Sequence, residues 1–309
     1  MPNNELLLFI LFNLFILALL ALDLGVFHRK DTVVSVKSAT LWSIAWILLA
    51  LLFNAGVWIY AGRARGLEFF AGYLIERALS MDNIFVFVLL FNYFGVPAKY
   101  QRKILFWGVL GALIMRSIFI IAGAALISQF EWILYVFGVI LIYSGWKMMK
   151  EGSIEVHPDS NVVIRLAKKM FPVETGFSSA HFFVRKNGKL AMTTMFLVLL
   201  AVETTDVVFA VDSIPAVFAV TRDPFIVYSS NVFAILGLRA MYFLLAGVMN
   251  SFYYLKHGLS IVLIFVGMKM LADKFIHIPI GVSLAFIGVI LAAAVILSWM
   301  KKKRQNALS

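Results

Sequence analysis

The stretch ERALSMDNIFVF, residues 76–87, places two acids, an arginine and an amide inside an otherwise apolar run that extends from Phe69 to Phe94. Its two acids, Glu76 and Asp82, stand six positions apart. A charged side chain at the centre of a helix in lipid costs at least about 2.5–3.5 kcal/mol, so such groups are expected to face the protein interior, paired or hydrated. We therefore interpret this stretch as part of an ion site.

A second stretch, VETTDVVFAVDSIP at 202–215, repeats this pattern. Asp206 and Asp212 are again six positions apart, and Glu203 lies about one turn before them. Aligning ERALSMDNI with DVVFAVDSI matches Glu76 to Asp206, Asp82 to Asp212 and Asn83 to Ser213. The two stretches are therefore expected to build one site from related halves.

The side chains of these stretches are hard oxygen donors, which suit Mn²⁺, Mg²⁺ or Ca²⁺ better than copper or zinc. The chain has no cysteine, which excludes a thiolate metal site. The candidate metal ligands are Glu76, Asp82, Asn83, Glu203, Asp206, Asp212 and Ser213.

Three arginines within the apolar runs, Arg77, Arg116 and Arg239, offer an alternative in which the acids form buried ion pairs that hold helices together. Five acids against three arginines leave negative charge for cations or protons to neutralise. We expect the arginines to act as gating or ion-pair groups beside the metal ligands. Residues six apart on a helix point about 120° apart, so a straight helix would not direct both acids of a pair at one ligand. A helix break at Pro215 is predicted to turn Asp212 inward.

The elements that carry these residues are membrane spans. Hydrophobic residues make up 62% of the 309-residue chain and charged residues 14%, against roughly 25% charged in soluble domains. The predicted fold is an all-α, polytopic membrane protein with a single transmembrane domain over residues 1–309 and about nine transmembrane helices. The predicted spans are 5–22, 39–60, 67–94, 104–128, 132–149, 190–220, 225–248, 257–272 and 279–299.

Two three-helix repeats are predicted, one at about 67–150 and one at about 190–274, separated by a cytoplasmic loop at about 150–189 and accompanied by peripheral helices 5–22, 39–60 and 279–299. Besides the acidic stretches, LIMRSIF around Arg116 matches LGLRAMY around Arg239, and GWKM at 145–148 matches GMKM at 267–270. Because each repeat crosses the membrane an odd number of times, the second copy has the opposite orientation in the membrane to the first. Inverted repeats are typical of secondary transporters that bind substrate near the bilayer midplane.

The distribution of Lys and Arg predicts the orientation. Alternate loops, together with the C-terminal tail, hold 19 of the 27 basic residues, and the opposite side holds five. The positive-inside rule then places the N-terminus outside and the C-terminus in the cytoplasm. The net charge of +11 is thereby explained without nucleic acid as a partner. No nucleotide-binding motif is present, so we expect no cofactor and no ATP-driven pumping.

At these residues the sequence resembles the TerC/Alx family of integral membrane proteins. The resemblance extends over essentially the whole chain and rests on ERALSMDNIFVF, HFFVRKNGKL, VETTDVVFAVDSIPAVFAVTRDPF, SNVFAILGLRAMYFLLAG and HIPI. It implies manganese efflux or homeostasis in the bacterial inner membrane, with an older association with tellurite resistance and envelope stress. It also implies a metal path formed by Glu76, Asp82, Asn83, Asp206, Asp212 and Ser213.

Three function classes follow. The favoured one is a secondary transporter that exports divalent cations, above all Mn²⁺, by proton antiport, with the lipid bilayer, the metal and protons as its partners. The alternative is a membrane partner of the secretion machinery that supplies metal to exported proteins and uses the loop 150–189 as its contact. A membrane-embedded enzyme is the least favoured class, because no nucleophile accompanies the acids.

Overall fold

The computed structural model describes residues 3–27, 35–150, 161–174, 176–177, 181–186, 189–246, 253–276 and 278–308. Within these ranges the chain is almost entirely helical. The helices are α1 (Asn3–Phe27), α2 (Val36–Ala61), α3 (Arg63–Tyr93), α4 (Ala98–Gln129), α5 (Ile133–Lys150), α6 (Val162–Met170), α7 (Thr194–Phe218), α8 (Pro224–Leu236), α9 (Leu238–Leu245), α10 (Leu255–Ala272) and α11 (Ile280–Leu308). The strands are β1 (Val173–Glu174), β2 (Phe183–Lys186) and β3 (Lys189–Thr193).

Each predicted span overlaps one of these helices, and α8 and α9 together cover the described part of the seventh, of which residues 247 and 248 lie outside the described residues. Among the described residues, seven helices are long and apolar enough to cross a membrane. The other two predicted spans are α3, whose 31 residues include several charged ones, and α1, whose apolar part covers Leu7–Leu22. The all-α, multi-pass membrane fold is confirmed, and the count of nine stays a prediction.

The segment predicted as a connecting loop at 150–189 contains regular structure. In the described part, α6 precedes a three-stranded sheet in which β3 lies between β1 and β2. The strand β1 pairs with β3 in parallel, and β2 pairs with it antiparallel. The predicted start of the sixth span at 190 is therefore wrong: these residues pair as β3, and α7 begins at Thr194. Residues 151–160 of the predicted loop lie outside the described residues.

Four helices, α3, α4, α7 and α8, form the centre of the bundle. Glycines bring them close together: Gly72 of α3 lies against Ser230 of α8, and Gly108 of α4 lies against Val202 of α7. Small residues allow such contacts between membrane helices. In the predicted repeats α3 corresponds to α7, and α4 corresponds to α8. The α3–α8 contact is therefore the counterpart of the α7–α4 contact, as related repeats require. The repeats themselves stay a prediction.

The helix break predicted at Pro215 is wrong, because α7 continues through Pro215 to Phe218. Membrane helices tolerate proline where local adjustments and neighbouring groups satisfy the freed backbone carbonyl. The interruption occurs instead at Gly237, between α8 and α9. There the Arg77 guanidinium donates to the Ala234 carbonyl at 3.1 Å and so satisfies a backbone group near the end of α8.

Candidate functional site

A buried polar group surrounds Arg116 at the centre of the four-helix arrangement. Its members come from all four helices, and each is less than 5% exposed. We call it the central group; it consists of Glu76 and Asn83 of α3, Arg116 of α4, Asp206 and Ser213 of α7, and Asn231 of α8.

The Arg116 guanidinium bridges two carboxylates. It donates to Asp206 twice, from Nε at 3.1 Å and from Nη2 at 3.0 Å, and it forms an ion pair with Glu76 through Nη1. The same Nη1 lies 3.1 Å from the Ser213 hydroxyl and 3.4 Å from Asn231 Oδ1. Paired and hydrogen-bonded in this way, the arginine is a counter-ion to an acid of α3 and an acid of α7 at once; its gating role stays a prediction.

The acids of the central group lie where α3 and α7 cross. Asn83 donates to Asp206 at 3.3 Å, and Ser213 hydrogen-bonds the Glu76 carboxylate. Since the repeat matches Asn83 to Ser213 and Asp206 to Glu76, each of these two contacts is the counterpart of the other. The helices are therefore antiparallel here, and equivalent residues from the two halves face a common centre.

Oxygen atoms at this crossing remain without partners. The Oδ1 of Asn83 and the hydroxyl of Ser80 are both buried and form no hydrogen bond in the described part of the chain. A buried polar atom without a partner is costly unless another group binds it. These two oxygens are the kind of donor that a hard cation prefers.

Glu203 is the remaining acid near the central group. Its partly buried carboxylate packs against Gly111 of α4, where a methyl group would overlap it, and its charge acts on Asp206. Glu203 and the pair Glu76 and Asp206 together carry three carboxylates against one guanidinium. The site thus has an excess of acid.

Asp82 and Asp212 lie to either side of the central group. From the contacts at the crossing, Asp82 is level with residue 207 of α7, which lies five residues, or about 7.5 Å along the axis, from Asp212. Asp82 is within the electrostatic influence of both Lys256 and Asp212, and Asp212 accepts a hydrogen bond from Ser144 at 2.6 Å. The structure thus brings Glu76 and Asp206 onto one guanidinium, and it places Asp82 near enough to Asp212 for their charges to interact.

The other two arginines differ from Arg116. Arg77 binds the helix interruption at Gly237, and Arg239 lies over the Phe106 ring at 5.7 Å. Neither contact involves the central carboxylates. Among the described residues no group of three or more His, Cys, Asp or Glu side chains is arranged to hold a metal ion, so the predicted ligand set stays a prediction.

Two polar residues of the site were absent from the sequence prediction. Asn231 donates to Glu76 at 2.9 Å, and Ser144 binds Asp212. Both are polar residues within apolar spans, which is the signal that could have identified them. Neither belongs to a repeated acidic stretch, and so the internal alignment did not select them.

Comparison with known proteins agrees with this architecture. Residues 61–306 match the model of the integral membrane protein TerC family. No solved structure matches the chain significantly.

Several bacterial proteins are similar over nearly their whole length. An uncharacterized membrane protein of Myxococcus xanthus is 50% identical over 94% of this chain and 92% of its own. Alx of Escherichia coli K12, whose name describes a candidate membrane-bound redox modulator, is 48% identical over 96% of this chain and 95% of its own. An uncharacterized membrane protein of Rickettsia felis is 40% identical over 95% of this chain and 97% of its own. With its buried polar centre and its multi-pass helical fold, this chain belongs to the TerC family of integral membrane proteins.

Proposed function

We propose that this protein is a secondary transporter that exports divalent metal cations, above all Mn²⁺, from the bacterial cytoplasm across the inner membrane in exchange for protons. The observation that supports the proposal is the central group, in which acids from both predicted repeats meet at a crossing of two antiparallel helices. Such a position between repeats is where secondary transporters bind their substrates.

In this proposal Arg116 occupies the place of the transported cation. Its guanidinium is shared by Glu76 and Asp206 while no metal is bound, so it compensates one of their two negative charges in a low-dielectric interior. A divalent ion that enters must compete with the guanidinium for these carboxylates. The unpartnered oxygens of Asn83 and Ser80 then become available as additional ligands.

Proton exchange supplies the energy. Moving a divalent cation out of a compartment that is negative by 100 mV costs about 2 × 2.3 kcal/mol in charge movement alone. Two protons moving inward for each metal ion cancel this electrical term. Carboxyl groups that lose a metal ion in a low-dielectric site favour the protonated form, and the acids beyond those paired with Arg116 provide places for protons.

Metal transport by the purified chain tests the proposal. Liposomes that contain only this protein and an enclosed Mn²⁺-sensitive dye should take up Mn²⁺ faster than protein-free liposomes. The Asp206→Asn variant should lose this uptake. The matched control is Glu131→Gln, which removes an exposed carboxylate from the turn between α4 and α5 and should transport normally.

The alternative function, a partner of the secretion machinery that supplies metal to exported proteins, gives the opposite result. A protein that acts only through a partner does not move metal by itself. Absence of Mn²⁺ movement in liposomes that contain folded, correctly inserted protein would therefore refute the transporter and favour this alternative.

A further inference from the structure

A cavity of about 320 Å³ lies at the end of the bundle where α3 begins. It is enclosed by the first turns of α3, the connection between α7 and α8, the end of α10 and the residues that lead into α11. Its polar lining consists of Glu68, Thr221, Arg222, Lys269 and Asp273. No member of the central group lines it, so it is a separate site.

The cavity presents one deeply placed ammonium group. Lys269 is only 8% exposed although it carries a charge, and it lines the cavity wall near the end of α10. The acid directly after α10, Asp273, acts on the charge of Lys269 and also pairs with Arg222 at 3.6 Å. Asp273 is therefore shared between two cations. An anion in the cavity would supply the remaining negative charge that balances the Lys269 ammonium group.

A carboxylate faces the same cavity from α3. Glu68 accepts a hydrogen bond from the Thr221 hydroxyl at 2.6 Å through one of its oxygens. That contact holds the carboxylate in place and leaves its negative charge uncompensated by any ion pair among the described residues. The cavity thus offers a cationic contact and an anionic contact to a single ligand.

The surroundings of the cavity are suited to contact with lipid. Apolar side chains complete its wall, among them Leu134, Phe218 and Met270. Next to lining residues in the chain, Trp132 is 60% exposed and Phe275 is 84% exposed. Exposed aromatic residues at helix ends are typical of the boundary between the hydrocarbon region and water.

The geometry points to a binding site for the headgroup of a phospholipid that carries a primary amine. The phosphate contacts Lys269, the ammonium group contacts Glu68, and the acyl chains leave past the exposed aromatic side chains into the bilayer. A choline headgroup cannot donate a hydrogen bond to Glu68, and a glycerol headgroup carries no positive charge for it. The site should therefore select ethanolamine phospholipids.

Native mass spectrometry of the purified protein tests this site. The protein is incubated in mild detergent with ethanolamine, choline or glycerol phospholipids of identical acyl chains, and the bound lipid is counted at increasing collision energy. The ethanolamine lipid should be retained most strongly. Lys269→Met should weaken its retention on the order of tenfold or more, as expected for loss of a charge-assisted hydrogen bond.

Glu68→Gln provides the second arm, because it keeps the size of the side chain. It should remove the preference for ethanolamine over glycerol headgroups and leave phosphate-dependent binding intact. The matched controls are Lys274→Met and Glu131→Gln, which alter exposed charges outside the cavity lining and should change nothing.

Two results would overturn the proposal. Equal retention of the three lipids by the unaltered protein would remove the headgroup preference. Thermal unfolding is also measured with inorganic phosphate and with glycerophosphoethanolamine. If both protect the protein equally well, and if the protection depends on Lys269, the cavity is a site for a free anion. Both measurements are independent of metal transport, so they leave the proposed function untouched.

Discussion

Replacing Arg116 by Gln tests whether this arginine compensates the charge of the central group. The substitution removes the guanidinium that contacts both Glu76 and Asp206, and it leaves two carboxylates close together in the protein interior. Breaking a buried ion pair by removing one partner costs about 3–5 kcal/mol. Arg239→Gln serves as the control, because it removes a second buried arginine, one that lies over the Phe106 ring.

The assay is unfolding by denaturant in detergent micelles, followed by tryptophan fluorescence. Arg116→Gln should lower the free energy of unfolding by more than Arg239→Gln does. Adding Glu76→Gln should then stabilise the Arg116→Gln variant, since it removes one of two negative charges that repel each other. The same change should destabilise the unaltered protein. This reversal of sign distinguishes an electrostatic role from simple packing.

Mn²⁺ should restore part of the lost stability. A ligand present at 100 times its dissociation constant stabilises the folded state by about 2.7 kcal/mol. If the guanidinium occupies the cation position, Mn²⁺ should bind Arg116→Gln more tightly than the unaltered protein. Equal stability of the two arginine variants, or weaker Mn²⁺ binding by Arg116→Gln, would refute the reasoning.

Three further predictions concern the acids, the packing and the orientation. Asp82→Ala and Asp212→Ala should each abolish Mn²⁺ binding, measured by calorimetry, in a protein that still folds; unchanged affinity in both variants would exclude a shared site. Gly111→Ala should slow Mn²⁺ uptake by liposomes by displacing the Glu203 carboxylate, whereas Gly288→Ala, which adds its methyl group in open space, should not. A reporter fused after Ser309 should be active only on the cytoplasmic side, because 19 of the 27 basic residues mark that side; activity only outside would invert the topology.

The spans and the central acids could be predicted from the sequence because the membrane imposes strong rules. Long apolar runs must be helical, and polar residues within them must face other protein groups. These rules identified Glu76, Asp206 and Arg116, which the structure brings together. The internal alignment added the relation between Asn83 and Ser213, which occupy corresponding places at the crossing.

The rest depended on packing that the sequence does not encode locally. Whether a helix breaks at Pro215 or at Gly237 depends on which neighbour satisfies the freed carbonyl, and here Arg77 binds Ala234 from a distant part of the chain. The strand β3 is part of an apolar sequence that continues into α7, and it forms because β2 pairs with it. The choice of Arg116 over Arg239 as partner of the acids is likewise decided by the approach of four helices.

The decisive measurement is whether protons move in exchange for Mn²⁺. The purified protein is reconstituted into liposomes with a pH-sensitive dye inside, and Mn²⁺ is added outside at neutral pH without a membrane potential. Antiport predicts that Mn²⁺ entry drives protons out, and that an imposed pH gradient concentrates Mn²⁺ against its own gradient. Mn²⁺ flux at full rate without proton counterflow, together with no accumulation under a pH gradient, would contradict the account.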